Sequence, residues 1–147
     1  MLMLKVKIKK ISEFAKLPKK MTPHSSGYDI FSNNSDEIII PPQKVVLIPT
    51  GFALEIPQKY EAQIRPRSGL AINHKIGILN SPGTIDSDFR GEVKIIAYNF
   101  GKKDFIVKNH MRIAQLIFSK VEDVIFQKSD LLGETDRNSG GFGHTKL

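Results

Sequence analysis

An all-β domain of the sandwich, jelly-roll or small-barrel kind is what this chain predicts, and three observations carry the prediction. Apolar residues recur at every second position or in short blocks, the pattern of strands with one or both faces covered. No stretch keeps a 3.6-residue apolar stripe for more than two turns. Proline and glycine interrupt the pattern at short, regular intervals, as in Pro41-Pro42, Pro49-Thr50-Gly51, Asn80-Ser81-Pro82-Gly83 and Gly101-Lys102-Lys103, the punctuation of many short strands.

In chain order, the first strand is expected at residues 4–8, where Leu4, Val6 and Ile8 alternate with lysines. Apolar blocks mark strands at 37–40, 45–48 and 52–55, the last two divided by Pro49-Thr50-Gly51. Further strands are expected at 60–64, 76–79, 93–98, 105–107, 113–119 and 124–126. Two short helical turns interrupt them: one at 68–71, with Ser68 as its N-cap, and one at 11–17, ended by Pro18. No internal repeat is visible. From Lys128 the composition changes, because Gly133, Gly140, Gly141 and Gly143 among polar neighbours cannot build a strand core. The chain therefore divides into a β body, residues 1–127, and a C-terminal arm, residues 128–147, that is mobile when nothing is bound.

The 147 residues suffice for one domain with a single core. There is no cysteine, so there is neither a disulfide framework nor a thiolate metal site, which suits a reducing, cytoplasmic setting. No apolar run approaches the ~18 residues that span a bilayer, so no membrane association is expected. An excess of 22 Lys and Arg over 15 Asp and Glu gives a net charge of +7 and favours anionic partners. Nucleic acid is disfavoured among these, because the lysines crowd into residues 5–20 and Lys102-Lys103 with Phe14 as the single aromatic ring in those stretches, too few for a stacking platform.

The densest chemistry lies in Gly83-Thr84-Ile85-Asp86-Ser87-Asp88-Phe89-Arg90-Gly91. Two glycines bracket two carboxylates, and Phe89-Arg90 sets a ring and a cation in reach of one ligand. A hairpin with solvated acids is the plain alternative. Arg65-Pro66-Arg67-Ser68-Gly69-Leu70-Ala71 offers a guanidinium fork, a hydroxyl and a helix start to an oxyanion. Gln115 is the polar member of an apolar strand, and a satisfied core amide is its simpler reading. Asp29, in Ser26-Gly27-Tyr28-Asp29-Ile30, reads as a turn aspartate. Arg137 joins a cation to the glycine-rich run ending Gly141-Phe142-Gly143, and Phe142 either docks on a protein surface or waits for a ligand. The histidines at 24, 74, 110 and 144 have no metal-ligand spacing. A metal here would be Mg²⁺, held by phosphate oxygens and water.

Five segments in order carry a resemblance: Ser26 to Ile30, Arg65 to Ala71, Asn80 to Glu92, Arg112-Ile113-Ala114-Gln115-Leu116-Ile117, and Arg137 with Gly141-Phe142-Gly143. They resemble the five motifs of the homotrimeric dUTPases, the deoxyuridine triphosphate nucleotidohydrolases, from about residue 24 to the end. The resemblance implies a jelly-roll or distorted-barrel subunit and a homotrimer whose sites each draw on all three copies. The first, second and fourth motifs come from one copy, the third from another and the arm from the last. It implies water attack on the α-phosphorus of dUTP, giving dUMP and pyrophosphate, which keeps uracil out of DNA and supplies dUMP for thymidylate synthesis.

By the same resemblance Asp86 orients the water and takes its proton. Arg67, Ser68, Gly69 and Gln115 hold the phosphates, Arg137 reaches the γ-phosphate, and Asp29 stands near the water shell of a Mg²⁺ cofactor. Asn80 and the backbone around Gly83, with Thr84 and Ile85, read the uracil, and Lys94 belongs to the same substrate-binding set. Gly141, Phe142 and Gly143 close over the nucleotide, with the Phe142 ring on the base.

Phe89 stands where the family usually has Tyr, the ring that packs under deoxyribose and leaves no room for a 2′-hydroxyl. Exclusion by a ring face survives the loss of the phenol. Asn138 and His144 replace a Gly and a Ser or Thr of the family pattern and bear on the arm's phosphate contacts. Two other readings share the fold: a dCTP deaminase, whose Ala-rich glutamate segment is missing before Gly83, and a non-catalytic nucleotide-sensing or protein-binding jelly roll. A basic nucleic-acid module is the remaining alternative.

Overall fold

The computed structural model describes residues 3–142 and is all-β apart from one short helix. In chain order it contains β1 (Lys7–Lys10), β2 (Tyr28–Phe31), β3 (Ile38–Ile40), β4 (Val45–Glu55), β5 (Tyr60–Arg65), α1 (Ser68–His74), β6 (Ile76–Ile78), β7 (Gly83–Ile85), β8 (Glu92–Asn99), β9 (Phe105–Val107) and β10 (Arg112–Lys120). One sheet runs β1-β4-β8-β6, a second runs β2-β10-β5-β7, and β3 pairs with β9. Every named pair is antiparallel.

One apolar core draws on both large sheets and on the β3–β9 pair, with Ile30, Ile40, Ile48, Phe52, Ile95, Val107 and Leu116 almost fully enclosed. Its placement follows from period-two patterning. Along β8, Val93, Ile95, Ala97 and Asn99 point inward while Lys94 points out. Asn99 is enclosed at no polar cost: its amide donates to the Ile40 and Lys103 carbonyls and accepts from Gly101 N–H, each at 2.8 Å.

The structure departs from the sequence expectations where long-range pairing overrides local pattern. The two strands expected at 45–48 and 52–55 form one strand, β4, because Pro49-Thr50-Gly51 makes an irregularity in the β4–β8 ladder. Gly51 takes a left-handed φ of 73°, and a Cβ there would meet Asn33 Nδ2 at 2.6 Å. The first strand begins at Lys7 rather than at residue 4, and all four of its residues are exposed, as suits a lysine-rich sheet edge. Residues 11–17 form turns, not helix. Residues 124–126 form no strand: Val124, Ile125 and Phe126 are 68%, 95% and 95% exposed and have no strand beside them among the described residues. Two stretches read as turns are strands, β2 and β7. The helix runs to His74, and its N-cap is Arg67, not Ser68, with no side chain capping it.

Candidate active site

Most of the site residues singled out in the β body line two separate clefts, which share no lining residue. The first, about 300 Å³, is lined by Asn80, Thr84, Ile85, Asp86, Phe89 and Lys94, with Leu47, Glu92, Val93 and Ile96. Apart from Leu47 it is local in sequence. β7 belongs to one large sheet and β8 to the other, so the turn from Asp86 to Gly91 crosses between the sheets and carries its side chains at the seam. Phe89 N–H donates to the Asp86 carbonyl at 3.2 Å, closing that turn.

Both bracketing glycines are explained by close approach. A Cβ on Gly83 would lie 3.1 Å from Asn80 Nδ2 and 3.3 Å from Ile64 Cβ, so the Asn80 amide rests against the Gly83 backbone. A Cβ on Gly91 would lie 2.6 Å from the tip of the Phe89 ring. Asp86 is exposed on the cleft, and among the described residues it takes part in no ion pair. Lys94 lies 3.5 Å from Glu92, whose other oxygen accepts from Gly51 N–H at 2.9 Å. Arg90 corrects the expectation that ring and cation face one ligand. Its guanidinium donates to the Ser87 and Phe89 carbonyls at 2.6 and 3.0 Å, and it lines a different hollow with Lys7, Lys9 and Glu55.

The second cleft, about 260 Å³, is lined by Met21, Ser25, Gly27, Asp29, Arg67, Ser68, Gly69, Arg112 and Gln115. It is long-range in sequence, assembled by the β2–β10 and β10–β5 ladders, where Gln115 lies opposite Asp29 on one side and Arg65 on the other. Asp29 is no turn aspartate. It sits on β2 with its side chain only 15% exposed, and its Oδ2 lies 3.1 Å from Arg112 Nη1 and 3.4 Å from Arg67 Nε. Arg67 Nη1 also donates to the Arg112 carbonyl at 3.0 Å. Two guanidiniums on one carboxylate leave the cleft cationic, and they hold the Arg67 fork in one orientation.

Gln115 donates to the Pro66 carbonyl at 2.9 Å and is half-buried at the cleft wall. Its amide passes so close to Gly27 that a Cβ there would lie 2.2 Å from Oε1, which is why a glycine precedes Tyr28-Asp29. Ser68 and Gly69 form the exposed first turn of α1 on the same cleft. Arg112 is the functional side chain that the sequence reading passed over. Its signal is a cation opening an apolar strand, which gains meaning only once β10 is known to lie against β2.

The clefts stand at opposite ends of β5. Ile85 pairs with Ala62 near its start, and Gly83 pairs with Ile64, so the register brings Asp86 opposite Glu61, at the Tyr60 end. Arg67 follows the other end, with extended backbone at φ −94° and ψ 129°. At ~3.3 Å per residue, Asp86 and Arg67 are about 20 Å apart along the strand, with β5 and β10 between β7 and β2 as well. The arm residues join neither cleft. Arg137 Nε donates to the Gly140 carbonyl at 2.7 Å, and the Phe142 ring is fully exposed, so it does not dock on its own chain. Gly141 is likewise in neither cleft, and Gly143 and His144 lie outside the described residues.

Among the described residues, no three or more His, Cys, Asp or Glu side chains gather as a dedicated metal cage requires. The donor set fits Mg²⁺ only as an ion that arrives with phosphate oxygens and keeps its waters. Asp29 is the acid of the cationic cleft, and its Oδ2 is already committed to two arginines.

Fold and clefts define an all-β jelly-roll subunit with a cationic end and an acid-bearing end. The family model described as dUTPase matches residues 13–146, and the chain belongs to the dUTPase family. It is 54% identical over 140 residues to the deoxyuridine 5′-triphosphate nucleotidohydrolase of Rickettsia canadensis, covering 95% of each chain. It is 51% identical over 148 residues to the protein of that name from Rickettsia typhi, covering both chains completely. Among solved structures, a substituted form of the phage 80alpha dUTPase superposes with a TM-score of 0.87 at 22% identity, over 95% of this chain and 98% of that one. A dUTPase from phage phi11 of S. aureus, described with a structural Mg(II) ion, gives a TM-score of 0.78 at 20% identity, over 86% and 97%. No helix among the described residues is long and apolar enough to cross a membrane.

Proposed function

We propose that this chain hydrolyses dUTP to dUMP and pyrophosphate in sites assembled from three copies of itself. The observation that carries the proposal is the division of one reaction's residues between two clefts about 20 Å apart on a single chain. Family membership supplies the reaction, and the division supplies the need for a second copy. A water-activating acid must lie within hydrogen-bond reach of a water at the phosphorus, a reach that one chain cannot span between Asp86 and the Arg67 cleft.

In this reading, Arg67, Ser68, Gly69 and Gln115 of one copy grip the triphosphate, with Arg67 held in place by Asp29 and Arg112. Asp86 of a second copy orients a water in line with the α-phosphorus and takes its proton. The new P–O bond forms as the bond to the α–β bridging oxygen breaks, and pyrophosphate leaves. Ser68 is placed to donate toward that oxygen as charge builds on it. Asn80, Gly83, Thr84 and Ile85 line the base pocket, Phe89 lies under the sugar, and Lys94 adds a cation to the same cleft. Residues 128–147 of a third copy reach across, bringing Arg137 to the γ-phosphate and Phe142 onto the base. The 68–95% exposure of Val124, Ile125 and Phe126 supports this arm, since apolar side chains so placed need cover.

Mg²⁺ carried by the triphosphate would neutralise charge on its oxygens, with Asp29 acting through water. This reading implies the cytoplasm, where free nucleotides are used. Pyrophosphate release measured with dUTP, dTTP, dCTP, dATP, dGTP and UTP, with and without Mg²⁺, tests the proposal. Selective release from dUTP is expected. Binding of dUTP without release would instead favour the nucleotide-sensing jelly roll.

A further inference from the structure

We infer that Gly91 is a positioning residue for sugar selection: its missing side chain sets the resting place of the Phe89 ring. The inference rests on the functional reading above, in which that ring lies under deoxyribose. Glycine is not demanded here by the backbone, because among the described glycines only Gly51 has a positive φ. The ring is what demands it. A Cβ at Gly91 would stand 2.6 Å from Phe89 Cζ, 2.9 Å from Cε2 and 3.5 Å from Cε1, so the far edge of the ring lies on the Gly91 backbone.

The rest of the turn is already held. Phe89 N–H bonds to the Asp86 carbonyl, and the Arg90 guanidinium bridges the Ser87 and Phe89 carbonyls. What remains free is the direction of the ring, which is 45% exposed and lines the cleft beside Asp86, Thr84 and Lys94. Carbon atoms settle at ~3.5–4.0 Å, so a methyl group at residue 91 lifts the ring edge by about 1 Å. The obstacle is the far end of an exposed side chain, so it yields by swinging rather than by unfolding the hairpin. The change therefore falls on the ring's position against the ligand.

The test is a double-mutant cycle of Gly91→Ala and Phe89→Ala. It is read by binding of the non-hydrolysable α,β-imido analogues of dUTP and UTP, together with kcat/KM for both substrates and the melting midpoint. dUTP loses a fitted contact, whereas UTP, already excluded, has less to lose. The dUTP-to-UTP ratio should therefore fall about tenfold on Gly91→Ala. In the Phe89→Ala background the same substitution should leave the ratio within about twofold. An unchanged ratio in the first case, or an equal fall in both backgrounds, overturns the inference. Should Gly91→Ala lower the melting midpoint, adding Phe89→Ala should restore it to the Phe89→Ala value, and failure to do so overturns it too. Loss of hydrolysis by the unsubstituted chain would sink the functional reading, while the analogue-binding ratio would still report on Gly91.

Discussion

The Asp86 cleft and the Arg67 cleft handle the same kind of side chain in opposite ways. Asp86 hangs on a turn whose shape comes from residues within a few positions of it, and no described cation neutralises it. Asp29 is locked by two arginines that lie 38 and 83 positions away in sequence. A carboxylate left unpaired on a cleft is available for proton transfer, whereas one that organises two guanidiniums is already used in building an anion site. The two acids are thus separable by experiment.

The largest effect expected is at Asp86. Asp86→Asn keeps the shape and removes the proton acceptor, so kcat should fall by about a thousandfold with KM little changed, as steady-state kinetics on dUTP will show. Asp29→Asn should do the reverse. It releases Arg67 and Arg112, so KM should rise by about tenfold or more with a smaller loss in kcat, and denaturant melts should record about 1–2 kcal/mol of lost stability. If both substitutions gave the same kinetic signature, the contrast between the clefts would be broken. Arg112→Ala should produce a milder copy of the Asp29 phenotype, a KM increase of a few-fold, because Arg67 keeps its own hold on Asp29.

The smallest effect lies behind the Asp86 turn, where Arg90 shares a hollow with Lys7 and Glu55. A hydrogen bond from Lys7, then its charge, and more weakly the charge of Arg90, hold the Glu55 carboxyl below its ordinary 4.5 against the opposing pull of desolvation. A carboxyl lowered by folding adds stability above its ordinary value and loses it as the pH falls through the folded one. The β1–β4 edge should thus weaken only below about pH 4.5, and melts of Glu55→Gln should lack that part of the acid dependence while activity near neutral pH is unchanged.

Legibility in the sequence followed the same divide. The turn from Gly83 to Gly91 could be read because its partners are neighbours in the chain, and the core strands could be read because period two survives in Val93 to Asn99 and Tyr60 to Arg65. What could not be read depended on pairing across the chain. Arg112 gains its role from a β2 strand that looked like a turn, Asp29 changes from turn residue to clamp for the same reason, and Pro49-Thr50-Gly51 resembles a break until β8 is laid beside it. Residues 124–126 have strand composition but no strand beside them among the described residues. Arg90 was misjudged because sequence adjacency to Phe89 does not show which way a side chain turns.

The most direct test of the account is subunit complementation between two inactive variants, Asp86→Asn and Arg67→Ala, differently tagged and co-expressed so that mixed assemblies can be purified. If each site takes Arg67 from one copy and Asp86 from another, every mixed trimer holds one intact site of its three, and about a third of the unsubstituted activity should return. If both residues serve from the same chain, no mixed assembly holds an intact site, and activity that stays at the level of the separate variants would contradict the shared site.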